Sequence, residues 1–166
     1  MSRFDSRRDG TIWGMTAWTR IGLWRREDHP EWPDPADLVD PSWDVEERSL
    51  VATYLENGAA SPSFMIWTLS DGSFEVGERC RLCEGDVLIT FNYDTDGTYV
   101  WPDGLGHYVE VHSVRLPSQV VNHILQQQPF DFDALQARAW DRIMTRWHQD
   151  EHDTSWWQDV TPRSAD

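Results

Sequence analysis

The residues best equipped for chemistry are Cys80 and Cys83, in the stretch CRLC, and two histidines downstream, His107 and His112. Together they follow the pattern C-x2-C-x23-H-x4-H. Thiolate and neutral imidazole are ligands that zinc prefers, and structural zinc sites take four of them in a tetrahedron, as pairs from two segments. Two residues between thiols let both sulfurs face one ion from a tight turn. The second pair falls within the H-x3–5-H spacing of zinc modules. The 23-residue gap is longer than the about 12–15 of a finger, but it contains a complete hairpin pattern. The expectation is Zn2+ held by Cys80, Cys83, His107 and His112. Its role would be structural, because four protein ligands close the shell and leave no position for water.

Two other readings of CRLC stay open. One is a redox dithiol, which normally opens a helix in a βαβ setting that this sequence does not suggest. The other is a pair of buried reduced thiols with unrelated histidines. The histidine spacing is the difficult half of the pattern. Five residues along a straight helix turn through about 500°, so the two side chains diverge by about 140°; a strand would put them on opposite faces. Convergence requires a helix end or a kink. If one histidine binds, His107 is the better ligand, and His123, Glu84 or Asp86 completes the shell. A catalytic zinc would need an open position and a general base. The deaminase signature, H-x-E followed by P-C-x-x-C, is absent: Arg79 precedes the first cysteine, and Tyr108 and Val109 follow His107.

Weaker motifs have simpler explanations. HQDEH at residues 148–152 fits the inverted zinc-protease pattern, with His148 and His152 on one helix face, but polar helix ends produce such strings by chance. Asp94-Thr95-Asp96-Gly97 resembles the start of a calcium loop without its later ligands, and a hairpin turn accounts for it. No phosphate-binding glycine loop and no G-x-S-x-G elbow occurs.

Charge narrows the partners. The 166-residue chain carries a formal charge of −15, and all 14 basic side chains are arginine. No lysine amine is available for Schiff-base chemistry. Residues 1–30 hold a net +2, leaving −17 on the remainder. Such a body repels phosphate backbones, which disfavours nucleic acid, and attracts a basic partner; it also aids solubility. No run approaches the roughly 18–20 apolar residues of a membrane span. The first residues lack the apolar stretch of a secretory signal, so the default location is the cytoplasm. Eleven tryptophans exceed what one small core needs. Trp32, Trp156 and Trp157, flanked by polar residues or proline, are the candidates for a partner-binding surface.

The elements that must position the metal ligands follow from pattern. Trp13, Ala17, Ile21 and Trp24 recur at helical spacing, and a proline-rich loop follows. Asp40 with Pro41 predicts a helix start, with Trp43, Leu50, Val51, Tyr54 and Leu55 apolar and Gly58 at its end. Asp71-Gly72 and Asp96-Gly97 predict two hairpins on either side of CRLC. A helix after Asp103 carries the histidines, another starts at Pro117, and a third runs from Phe132 to about Asp150 with Leu135, Ala139, Trp140, Ile143 and Trp147 on one stripe. Length and pattern fit a single α+β domain over residues 1–166, with a small antiparallel sheet between helices; residues 1–10 and 161–166 read as tails.

Knuckle, hairpin and then a helix carrying the second ligand pair resembles the treble-clef type of zinc module, over about residues 78–114. The stretch DGTYVWPDGLGHYVEVHSVRLP also resembles segments of small bacterial proteins; that likeness implies no activity. The reading that unites these features is a non-enzymatic, acidic, zinc-stabilised protein-binding protein of the immunity, inhibitor or adaptor type. A small zinc-dependent hydrolase is the alternative, and a nucleic-acid-binding zinc module ranks below both.

Overall fold

The computed structural model describes residues 18–60, 77–84, 87–90, 92–146 and 152–153. The chain forms an α+β fold. Its first described element is a strand, β1 (Trp18–Arg20), where helical spacing had been expected. The apolar residues that suggested a helix are consumed differently: Ile21, Leu23 and Trp24 are buried in irregular chain after β1. Burial on several sides, rather than helical periodicity, explains their spacing.

Helix α1 spans Val45–Glu56 and starts four residues later than expected. The Asp44 carboxylate accepts from the Glu47 amide at 2.9 Å, an N-cap bond. Asp40 instead caps the preceding turn, accepting from the amide and hydroxyl of Ser42 and from Arg115. These bonds, Ser42 first and Arg115 second, hold its pKa down to about 2. Asn57 follows the helix and Gly58 succeeds it, as expected.

A five-stranded mixed sheet has the order β2–β5–β6–β1–β7. β2 (Ala59–Ala60) pairs antiparallel with β5 (Tyr93–Thr95), and β5 pairs antiparallel with β6 (Tyr99–Pro102). β1 lies parallel to β6 and to β7 (His152–Asp153). The β5–β6 turn is the expected Asp96-Gly97 hairpin, with Gly97 at φ +87°, a value that glycine adopts without strain. The other expected hairpin, at Asp71-Gly72, lies outside the described residues. A separate two-stranded antiparallel ribbon joins β3 (Gly77–Arg79) to β4 (Leu88–Thr90).

Three helices follow: α2 (Leu105–His112), α3 (Ser118–Leu125) and α4 (Phe132–Arg146). On α4, Leu135, Ala139 and Ile143 are buried as the stripe requires, but Trp140 is 43% exposed and lies off it; Trp147 lies outside the described residues. The main core joins α1, α2 and α3 through Val51, Tyr54, Leu105, Val109, Val120 and Ile124. Trp101 crosses beneath them, its indole N–H donating to the Leu55 carbonyl at 3.0 Å. Among the described residues, no helix is long and apolar enough to cross a membrane.

Candidate metal centre

The β3–β4 ribbon presents the first ligand pair. The Cys80 amide donates to the Val87 carbonyl at 2.8 Å, which extends the ribbon ladder past β3 and closes the CRLC turn. The Arg81 amide donates to the Tyr108 hydroxyl at 3.1 Å, tying that turn to α2. Cys80 is buried, whereas Cys83, His107 and His112 are partly exposed. Both sulfurs are free thiols.

Helix α2 presents the second pair. His107 stands in its first turn and His112 is its last residue. Ser113 then turns left-handed, at φ 55°, and its hydroxyl accepts from Arg48 of α1 at 2.6 Å. The convergence problem is solved at a helix end. In steps of about 100° per residue, Tyr108 and Val111 lie between the two histidines on the helix surface. Tyr108 of that strip is buried and holds the knuckle through the Arg81 amide, whereas Val111 stays exposed; both imidazoles reach the Cys83 sulfur. Their ring centroids are 5.1 Å apart, with planes at 74°.

The ligand atoms meet at one point. The His107 Nε2 is 3.3 Å from the Cys83 Sγ. The His112 Nε2 is 3.2 Å from the Cys83 Sγ and 3.5 Å from the Cys80 Sγ. No pair of ligand atoms in the group of four exceeds 4.8 Å. Zinc bonds of about 2.3 Å to sulfur and 2.0–2.1 Å to nitrogen, at tetrahedral angles, imply an S···N edge of about 3.6 Å. The observed contacts lie within a few tenths of an ångström of that edge. These four residues are positioned to hold a metal ion.

Protonation fits the same role. Burial, and then the neighbouring His107, lowers the His112 pKa and keeps its imidazole neutral with a lone pair to donate. Burial, with Cys80 alongside, pushes the Cys83 thiol up. A metal must therefore displace the thiol proton, and binding releases it. Tyr108 is pushed up to about 12, first by burial; the Arg81 amide acts in the opposite sense and the nearby Cys80 reinforces the rise. The phenol stays neutral and keeps its oxygen on the Arg81 N–H.

The other sequence candidates are elsewhere. The His123 Nε2 donates to the Asp96 Oδ2 at 2.6 Å and takes no part in the cluster. Glu84 is exposed and outside the group, and Asp86 lies outside the described residues. The calcium-like Asp96 is a turn residue: its Oδ1 accepts the Thr98 and Tyr99 amides, and its Oδ2 meets the Tyr54 hydroxyl and His123. In HQDEH, His152 belongs to a strand rather than a helix, and residues 148–151 lie outside the described residues. Trp32, expected near the surface, is only 5% exposed: His29 stacks on it at 3.9 Å and the Arg26 guanidinium lies over its ring. Trp156 and Trp157 lie outside the described residues. Sequence reasoning missed Tyr108 as the tether of the knuckle; its position beside His107 was the available signal.

Comparison of the chain with protein-family models, curated proteins and solved structures returned no match in any of the three.

Proposed function

We propose that this chain is a non-enzymatic protein-binding protein of the immunity, inhibitor or adaptor kind, clasped by a structural Zn2+ and recognising a basic protein partner. The convergence of Cys80, Cys83, His107 and His112 within 4.8 Å supports the metal half of this reading. Two thiolates and two imidazoles suit zinc, whereas magnesium and calcium favour oxygen ligands. Four protein ligands would leave no place for a substrate or an activated water, which supports a structural ion. The order of knuckle, β5–β6 hairpin and ligand-bearing helix is consistent with a treble-clef module. The partner half rests on the net charge of −15, which speeds encounter with a basic surface.

Native mass spectrometry with metal analysis tests the first half. The expected result is one zinc per chain, absent in Cys80→Ser; metal-free protein from a chelator-free preparation would overturn it. A water at the fourth coordination position beside a carboxylate would replace the structural role with a hydrolytic one. Affinity capture from the native host tests the second half. The expected catch is a basic protein released by added salt; failure to recover a partner, together with measurable hydrolysis, rejects the binding reading.

A further inference from the structure

Beside the knuckle lies a half-open cavity of about 80 Å³. Trp24, Ile89 and Tyr108 are buried in its wall, and its charged lining is Arg26, Arg81 and Glu78. These three side chains are 55%, 30% and 44% exposed, which places the charge toward the mouth and the apolar surface inside. The geometry points to a binding site for a short-chain carboxylate, its hydrocarbon end against Trp24 and its anionic head between the two guanidinium groups.

Size and donor capacity agree on that class. One water needs about 10–15 Å³ of such cavity volume, so the cavity accepts a short chain of several carbon-sized groups and leaves the head at the mouth. The lining holds two guanidinium groups and one carboxylate, and Asp28 pairs with Arg26 at its edge, so the preference for an anion rests on the guanidinium N–H donors rather than on net charge.

Each guanidinium has five N–H donors, more than its present contacts use. Arg26 spends its Nε on Asp28 at 2.9 Å while lying over the Trp32 ring. Arg81 gives its Nη1 to the Arg25 carbonyl at 2.6 Å, and its Nη2 stands 3.6 Å from Glu78. That long ion pair is the contact an incoming carboxylate replaces, with paired N–H···O bonds. The site lies apart from the metal ligands, although Arg81 sits between the two cysteines.

Butyrate and butylamine distinguish the carboxylate from its cationic counterpart. Titrated into the full chain, butyrate should move the indole N–H resonances of Trp24 and Trp32 saturably, with a millimolar Kd, and butylamine should not. Arg81→Met and Arg26→Met should each weaken butyrate at least about tenfold. Arg26 takes no part in the knuckle, so its variant decides the matter if Arg81→Met does not fold. The site is refuted if butyrate causes no saturable shift in the millimolar range, if butylamine binds equally well, or if the folded arginine variants bind butyrate unchanged.

Discussion

Replacing Gly104 by alanine should weaken the metal centre although residue 104 is not a ligand. Gly104 precedes α2 with φ −82°, a conformation open to any residue, so the effect is steric alone. A methyl group there would collide with the Ile89 Cγ2 and stand 2.7 Å from its Cδ1 and 3.0 Å from its Cβ. Ordinary carbon contacts are about 3.5–4.0 Å, so relief requires a movement of well over ~1 Å. Ile89 is on β4, buried against the start of α2, and β4 pairs with the strand that leads into Cys80. The strain therefore separates the two ligand pairs. Overpacking of this kind costs about 1–3 kcal/mol, and about 1.4 kcal/mol corresponds to a tenfold loss of affinity. Urea unfolding of metal-free protein measures the first quantity, and competition with a chelator measures the second. Ile89→Ala removes the Cγ2 and Cδ1 atoms, the two nearest to the new methyl. The double variant should then recover about 1 kcal/mol or more relative to the sum of the single changes. Unchanged metal affinity and stability in Gly104→Ala, or strictly additive costs in the double variant, would refute the steric coupling.

Acid should loosen the β5–β6 turn: burial opposes the Asp96 charge, but His123, the Tyr99 and Thr98 amides and the His123 charge outweigh it and lower the pKa. A depressed carboxylate contributes stability above its unfolded value and loses it as pH falls through the folded one; Asp96→Asn should cost about 2–3 kcal/mol at pH 7 and flatten that acid limb, measured by urea unfolding against pH. Asp94 has the opposite sign, since burial and then Asp103 raise its pKa to about 6. The folded state holds its proton longer, so stability falls between about pH 4 and 6 as pH rises. Asp94→Asn should therefore stabilise the protein at pH 7 by about 1 kcal/mol after allowance for its partial exposure, seen as a higher urea midpoint.

Residue type and spacing pointed to the four residues that the fold brings together. Zinc chemistry favours thiols and imidazoles, so Cys80, Cys83, His107 and His112 stood out as a candidate group, while redox and buried-thiol readings of the cysteine pair stayed open until the fold placed the four together. The β5–β6 hairpin and helices α1 to α4 were also legible, since apolar periodicity, Asp-Gly turns and caps act over a few residues. Helical periodicity misled at Trp18–Arg20, where parallel pairing to β6 and β7 claims a segment whose partners are distant in sequence. It misled again at Trp140, which faces outward from α4. Trp32 is covered by His29 and Arg26, so its flanking polarity concealed it rather than exposed it. How His107 and His112 converge could be settled only in three dimensions. Their divergence along a helix is a local property, but the helix end at Ser113, the Tyr108 hydroxyl on the Arg81 amide and the tight approach of Gly104 to Ile89 belong to contacts between elements. Local sequence named the candidates; long-range packing brought them close enough to hold one ion.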